Sequence, residues 1–112
     1  MAKRKSSIQC RWRIVSMSAW DDEYLDEEGE AFIEFSDRNQ GEFRFGYIGG
    51  EIEYRTTRRD RKLAVEFSWE GGDAADGTPM TGRGWAVLDD GELVGELFIH
   101  QGEESEFRAR KE

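Results

Sequence analysis

The sequence predicts an all-β fold in which an antiparallel up-and-down meander of about eight strands closes into a small barrel. Short segments alternate between apolar and polar residues with the period of a half-buried strand. Thirteen glycines, against one proline, fall mostly between these segments, where tight turns use them. Because no series of helices links the segments, consecutive strands are expected to pair antiparallel. Strands with one buried face must close on themselves or pack against a second sheet, so a two-sheet sandwich is the alternative.

The predicted strands are joined by short connections. For one longer connection, at 19–28, a short helix and a loop are both left open. Ser18 is the candidate N-cap of this helix and Gly29 its candidate stop. The other, 71–81, has the composition of a surface loop. The strands are predicted at 8–17, 30–36, 42–48, 51–57, 62–69, 82–88, 92–99 and 104–110.

Gly49-Gly50 is predicted to form a two-residue hairpin turn. This turn places the aromatic residues of both strands on one face and the charged residues on the other, so turn chemistry and alternation agree. The cross-strand pairs that follow are Tyr47 with Ile52, Phe45 with Tyr54 and Phe43 with Thr56.

The turn at 89–91, Asp-Asp-Gly, admits two lengths. As a two-residue turn it places Trp85 beside Glu96. As a three-residue loop with its glycine in the left-handed conformation, it places Trp85 beside Gly95. We prefer the three-residue loop, because it puts the large apolar side chains of both strands on one face.

Alternation and turns together define the expected barrel interior. Its side chains are Ile33, Phe35, Phe43, Phe45, Tyr47, Ile52, Tyr54, Leu63, Val65, Phe67, Trp69, Trp85, Val87, Leu93, Leu97, Ile99 and Phe107. Four aromatic residues, Tyr47, Tyr54, Trp69 and Trp85, are candidates to line a ligand cavity at the barrel mouth. So many rings in a short barrel favour a filled core instead, in which truncating Trp85 or Phe67 costs roughly 3–5 kcal/mol.

The outward row is mostly charged, with an apolar exception on the strands at 82–88 and 92–99. Contiguous exposed apolar residues mark an interface or lie beneath another element. We therefore expect homodimerisation through Leu88, Val94 and Phe98, with coverage by the helical segment as the alternative. The apolar outward positions are Ala86, Leu88, Val94 and Phe98.

The charge balance argues against one class of partner. Twenty-five acidic residues against 16 basic ones give a net charge of −9. This field repels phosphate backbones, so we expect no binding to duplex nucleic acid. The acid-rich stretch at 21–30 lacks the alternating spacing of a calcium loop, and is expected to be a solvated face or to meet a basic partner.

One local reversal of charge lies between the fourth and fifth predicted strands. Arg55, Arg58 and Arg59 cluster there, followed by Arg61 and Lys62. Converging guanidinium groups at a hairpin tip can hold an anion, or can contact the acidic stretch of another subunit.

No catalytic constellation is visible, and we predict neither a metal ion nor a cofactor. His100 and Cys10 are the single histidine and the single cysteine, too few for a structural zinc site. We expect His100 at the surface at a strand end, and Cys10 to act as a small apolar residue. An enzyme or ligand carrier is the alternative, with polar groups such as Glu66, Arg44 and His100 around the barrel mouth.

The chain length of 112 residues accommodates one domain, with residues 1–7 expected to form a flexible basic tail. A single cysteine cannot form an internal disulfide, which fits the cytoplasm. No apolar run approaches the roughly 20 residues that span a bilayer, so no membrane segment is expected. The basic start leads into no apolar stretch, so no secretory signal is expected either.

Several sequence blocks carry a family resemblance. They are FIEF at 32–35, GEFRFGY at 41–47, AVEFSWEGGD at 64–73, GRGWA at 82–86 and LFIHQGEESEF at 97–107. Over roughly residues 12–110 the chain resembles a group of small single-domain bacterial proteins that have no assigned activity. The resemblance implies no catalytic residue, cofactor or partner. The meander is also similar in outline to lipocalin and avidin-like barrels, a likeness of architecture that does not set function.

Taken together, these features favour a non-enzymatic cytoplasmic β-barrel that acts as a binding or interaction module and self-associates as a dimer. The alternative is a small ligand-binding barrel or enzyme with a pocket at the barrel mouth, whose partner is a small molecule. The two differ in whether polar groups converge beside a cavity.

Overall fold

The computed structural model describes residues 8–112, so the tail predicted at 1–7 lies outside the described residues. The strands are β1 (Arg11–Met17), β2 (Phe32–Phe35), β3 (Gln40–Phe45), β4 (Ile48–Arg59), β5 (Lys62–Asp73), β6 (Thr78–Asp89), β7 (Glu92–Ile99) and β8 (Glu104–Lys111), with a helical turn α1 (Asp22–Leu25) after β1. Each strand pairs antiparallel with the next, and β1 also pairs with β8. The predicted eight-stranded meander is therefore confirmed as a closed barrel, and the sandwich alternative is wrong.

The two ends of the barrel are built differently. At one end, which we call the terminal end, β1 begins, β8 ends and three hairpins turn through Arg38-Asn39, Asp60-Arg61 and Asp90-Gly91. Both central residues of each turn have positive φ, the pattern of type I′ hairpin turns. At the opposite end, which we call the helix end, lie α1, the Gly46-Tyr47 turn, and the connections at 74–77 and 100–103.

The β3–β4 turn differs from the prediction. Gly46 and Tyr47 form the turn, because Phe45 pairs with Ile48, and Gly49-Gly50 lies inside β4. A Cβ at Gly50 would lie 2.8 Å from Cε3 of Trp69 and 3.1 Å from Cε1 of Phe43, so this glycine makes room for two rings rather than for a turn. The register moves by an even number of residues, which is why Phe43, Phe45, Ile52 and Tyr54 are buried as predicted. The inward position predicted for Tyr47 is wrong, because this residue lies in the turn and is only half-buried.

The β6–β7 turn also differs. Asp89 pairs with Glu92 across a two-residue turn, so Trp85 lies opposite Glu96 rather than Gly95. This shift by an odd number of residues exchanges the inner and outer faces of β6: Ala86 and Leu88 point inward, whereas Trp85 and Val87 point outward. The three-residue loop that we preferred is wrong, and so is the inward position of Trp85 and Val87.

Two other connections are shorter or less helical than predicted. The 71–81 stretch is mostly strand, since β5 runs to Asp73 and β6 begins at Thr78. The helix is one turn, capped by Asp21 rather than Ser18: the Asp21 carboxylate accepts a 2.9 Å hydrogen bond from Tyr24 N. Within residues 8–112, α1 is the only helix, and it is too short and polar to cross a membrane.

Aromatic rings fill the barrel from end to end. Phe35 lies 5.0 Å from Tyr54 and 5.9 Å from Phe67, and Phe43 lies 4.9 Å from Trp69, all between ring centroids. Towards the helix end, Trp20 covers Phe45 at 4.8 Å. The interior is therefore a filled core and not a ligand cavity. Its rings support the outer surface of the barrel.

Small residues on β6 and β7 compensate for these rings. Gly82 and Gly84 point inward on β6, and Gly95 does so on β7. A Cβ at Gly82 would lie 2.7 Å from Nε1 of Trp69, and one at Gly84 would lie 2.8 Å from Cε2 of Phe67. The large side chains of β5 thus occupy the space that β6 leaves open.

Candidate functional site

The outer surface of β4–β7 combines exposed arginines with half-buried apolar side chains. We call it the arginine–tryptophan face, and its residues are Arg55, Arg59, Arg83, Trp85, Val87, Val94 and Phe98. Cross-strand register places them together, since Arg55 aligns through Glu66 with Trp85, and Arg83 pairs with Phe98. A groove of about 760 Å³ runs along the part of this face that joins the arginines to Trp85 and Phe98.

Trp85 is at the centre of the arginine–tryptophan face and is held on two sides. The Arg59 guanidinium carbon lies 4.0 Å from the centroid of its ring system, a cation–π contact. Its indole N–H donates a 3.1 Å hydrogen bond to Oε1 of Glu96. The indole is thus fixed in orientation while still half exposed, which is the arrangement of a preorganised contact residue.

The arginines of this face differ in their partners. Arg83 lies over the Phe98 ring at 5.9 Å, and Arg55 forms a long 3.9 Å ion pair with the exposed Glu66. Arg59 and Arg83 form no ion pair with any carboxylate within residues 8–112. Two guanidinium groups on an acidic protein therefore remain available to an anionic partner.

The predicted anion cluster is only partly assembled. Arg55 and Arg59 alternate onto the outer face of β4, but Arg58 lies on the opposite side of the strand. The Arg58 guanidinium instead donates a 3.4 Å hydrogen bond to the Arg61 carbonyl across the hairpin turn. Arg83 of β6, which sequence reasoning did not include, takes its place beside the other two.

The four predicted mouth residues do not come together. Tyr54 and Trp69 are each 4% exposed and belong to the core, Tyr47 lies in a turn at the helix end, and Trp85 faces outward. The Tyr54 hydroxyl is used structurally, because it donates a 2.5 Å hydrogen bond to the Ser36 carbonyl. The four residues therefore line no single cavity, although Tyr54 and Trp85 both border the groove of the arginine–tryptophan face.

Two of the three residues predicted to form an interface point outward, and the third points inward. Val94 and Phe98 point outward and are half-buried, as expected. Leu88 packs against the core from the inner side, and the neighbouring Ala86 is fully buried, so both leave the patch. Trp85 and Val87 replace them. The Asp-Gly pair at the centre of the turn is the signal that favours this register, because it suits a two-residue type I′ hairpin.

The polar groups of the enzymatic alternative are separated. Glu66 lies in the middle of β5 beside Arg55, His100 is exposed after β7 at the helix end, and Arg44 lies over the Phe32 ring on the outside of β3. Cys10 is half-buried against the edge of the core. Among residues 8–112, no group of three or more His, Cys, Asp or Glu side chains is placed to hold a metal ion.

The acid-rich stretch forms the negative counterpart of the arginine–tryptophan face. Arg13 fixes it to β1 through ion pairs with Asp26, at 2.9 Å, and with Glu30. Glu27 and Glu28 remain exposed and form no ion pair within the described part of the chain. Glu27, then burial and Glu28, raise the pKa of the Tyr47 phenol above its ordinary value of 10.0, which reports negative potential at this end.

The fold and its surface thus define a small closed β-barrel with a filled interior and an exposed cation–aromatic face. Comparison with protein-family models, with curated proteins and with solved structures finds no match for this chain. The resemblance to small bacterial proteins stays a prediction, so function has to be inferred from the geometry.

Proposed function

We propose that this protein is a non-enzymatic, cytoplasmic interaction module that self-associates through its arginine–tryptophan face. The observation that carries the proposal is the outward, half-buried Trp85 at the centre of an apolar patch, on a barrel whose interior is already filled. Tryptophan and arginine are enriched at protein interfaces and among the residues that dominate binding energy. A patch of Trp85, Val87, Val94 and Phe98 framed by arginines has this composition.

A second copy of this chain is the partner whose charges complement the face. The acid-rich stretch at 21–30 carries seven carboxylates in ten residues, and Arg13 holds only two of them in ion pairs. The arginine–tryptophan face offers guanidinium groups on a protein of net charge −9. In a two-fold dimer each contact forms twice, so each copy can place its acidic stretch against the arginines of the other. This pairing reduces the repulsion that two acidic proteins otherwise experience.

The apolar contribution is tested by placing a charge in the patch. Val94→Glu and Phe98→Glu are expected to shift the protein from dimer to monomer, because each places a carboxylate in the apolar patch that the contact buries. Native mass spectrometry at neutral pH and low micromolar concentration reports the subunit count. Gln40→Glu, at an exposed position on β3 that does not line the groove, adds the same charge and is the matched control, which should leave the dimer unchanged.

The electrostatic contribution is tested by a complementary pair of charge reversals. Arg59→Glu/Arg83→Glu makes the face acidic, and Glu27→Lys/Glu28→Lys reverses the charge of two exposed carboxylates of the acidic stretch that form no ion pair within the described residues. Each variant alone is expected to be monomeric, because like charges then meet at both contacts. Mixed one to one, they should form a heterodimer, since both contacts become attractive again. Arg38→Glu/Arg58→Glu carries the same charge change as the first variant outside the face and is the control.

The outcomes separate the two parts of the proposal. A wild-type protein that remains monomeric at concentrations well above micromolar contradicts self-association itself. A dimer that is lost in Val94→Glu but persists in both charge-reversal variants retains the apolar interface and rejects the role of the acidic stretch. Restoration of the dimer only on mixing supports both.

A further inference from the structure

A second concave site lies at the helix end, away from the arginine–tryptophan face. It is a pocket of about 570 Å³ between the segment that enters α1, the first residues of β6 and the β7–β8 connection. We call it the helix-end pocket. Its apolar lining is Trp20, Tyr24, Ile48, Met80 and Ile99, and its polar rim includes Asp73, His100 and Glu103.

The apolar side chains that line the pocket contact the core, yet they are partly exposed to solvent. Trp20, Met80 and Ile99 are half-buried side chains that pack against the core cluster, and Ile48, 4% exposed, belongs to that cluster. Water therefore contacts apolar surface that a small molecule could cover, which favours binding by roughly 25 cal/mol per Å² of apolar surface removed from water.

The aromatic wall of the pocket is held in place. The Trp20 ring lies 4.8 Å from Phe45 and 6.4 Å from Tyr24, between centroids, so it is supported from the core side and from α1. The Gly46 N–H donates a 2.8 Å hydrogen bond to the Leu25 carbonyl, which ties the helical turn to the β3–β4 turn. A ligand would meet a wall that needs little ordering.

The charge of the residues that line the pocket favours a ligand of opposite charge. None of the residues described as lining it is lysine or arginine, whereas Asp73 and Glu103 are carboxylates. The acid-rich stretch follows Trp20 directly in the chain, and Glu27 acts on the nearby Tyr47 phenol. The π faces of Trp20 and Tyr24 also attract cations. Negative charge and ring faces both favour a cationic ligand.

We propose that the helix-end pocket binds a small organic cation, an amine or ammonium group attached to an aromatic or branched aliphatic body. The apolar body packs against Trp20, Met80 and Ile99, while the cationic head lies at the rim beside Asp73 and Glu103. This inference does not rest on self-association: no lining residue belongs to the arginine–tryptophan face, and Tyr24 is the one that belongs to the acid-rich stretch proposed to meet a second copy.

Three probes that share a phenyl body test the proposal. 2-Phenylethylammonium, 2-phenylethanol and 3-phenylpropanoate are titrated at pH 7 into protein labelled with ¹⁵N and with ¹³C at the methionine methyl groups, with the Trp20 indole N–H and the Met80 methyl group as reporters. We expect saturable shifts at these residues, with affinity decreasing from the cation to the alcohol to the carboxylate. No saturable shift with the cation, or equal affinity for the carboxylate, would overturn the proposal.

Matched variants test the role of the rim. Asp73→Asn/Glu103→Gln removes both rim carboxylates and is expected to weaken binding of the ammonium probe by roughly 5-fold while leaving the alcohol unchanged. Asp76→Asn/Glu104→Gln changes the net charge equally with residues that do not line the pocket, and should have a smaller effect. Equal effects of the two variants would show that the charge of the whole molecule, and not the rim, attracts the cation, which contradicts the site as proposed.

One further variant separates the pocket from the dimer. Val94→Glu, which is expected to be monomeric, should bind the ammonium probe with wild-type affinity. Loss of binding in this variant, with its fold intact by the dispersion of its amide spectrum, would show that the pocket needs a second copy and would contradict its independence.

Discussion

The guanidinium carbon of Arg59 lies 4.0 Å from the centroid of the Trp85 ring system, although the two residues belong to β4 and β6 with β5 between them. The contact is possible because Ala64, which points outward on β5, is small. Ala64 is fully buried and yet is not part of the interior cluster, so it is covered from outside. The Arg59 side chain thus extends over Ala64 to reach the Trp85 indole. This makes the outer surface around Trp85 a packed layer rather than a set of independent exposed side chains.

We therefore expect Trp85→Ala to act mainly on association. The lost cation–π contact and partial burial are worth on the order of 1 kcal/mol of folding stability. The proposed dimer, by contrast, should weaken by 10-fold or more, since a central interface tryptophan typically contributes at least about 2 kcal/mol. Urea denaturation and native mass spectrometry measure the two effects. A stability loss of several kcal/mol with unchanged dimerisation would return Trp85 to a purely structural role.

Phe67→Ala should show the opposite behaviour. Phe67 is 5% exposed and contacts Phe35 inside the barrel, so its truncation leaves a cavity that the closed sheet cannot collapse. The expected cost is roughly 3–5 kcal/mol of unfolding free energy. In buffer without denaturant, where the variant remains folded, the proposed dimer should be unaffected. A cost below that of Trp85→Ala would contradict the division of roles between the inner and outer aromatic residues.

The sequence was sufficient for the strand count, the closure of the barrel and most of its interior, because alternation depends only on local pattern. It failed on the face of β6, where the choice depended on which residues were assumed to be buried. The rule that large apolar residues point inward favoured Trp85, but Phe67 and Trp69 of β5 already fill that space. Gly82 and Gly84 inside β6 mark the close approach of rings from the neighbouring strand β5. Such competition for volume involves residues far apart in the chain, so no single segment reveals it.

Gly84→Ala tests this complementarity directly. A Cβ at Gly84 would lie 2.6 Å from the Glu96 carbonyl oxygen and 2.8 Å from Cε2 of Phe67. The carbonyl belongs to the backbone of β7 and cannot move without disturbing the sheet, so overpacking should cost roughly 1–3 kcal/mol. Ser68→Ala, at an exposed position on β5, is the control and should stay within about 0.5 kcal/mol of wild type. A neutral Gly84→Ala would mean that Phe67 has room to move, contrary to the filled core.

The negative potential at the helix end predicts an alkaline titration that can be assigned to one residue. The Tyr47 phenol has a pKa raised above 10.0, first by Glu27, then by burial and by Glu28. In the unfolded chain the phenol ionises at its ordinary pKa, so above about pH 10 the unfolded state loses a proton that the folded state retains. Stability is therefore unaffected by Tyr47 below that pH and decreases as the pH rises through the folded pKa.

Removing the two carboxylates should reverse this shift. In Glu27→Gln/Glu28→Gln, the pKa of Tyr47 is expected to move back towards 10.0, as followed by the ¹³Cζ chemical shift of the phenol, with Tyr47→Phe providing the assignment. Glu103→Gln/Glu104→Gln neutralises two carboxylates that are not among the causes of the shift, and serves as the control. If both double variants lower the pKa equally, the potential arises from the net charge of −9 and not from the acid-rich stretch. If only the first does, Glu27 and Glu28 act locally, and the helix end has the negative potential that a cationic ligand requires.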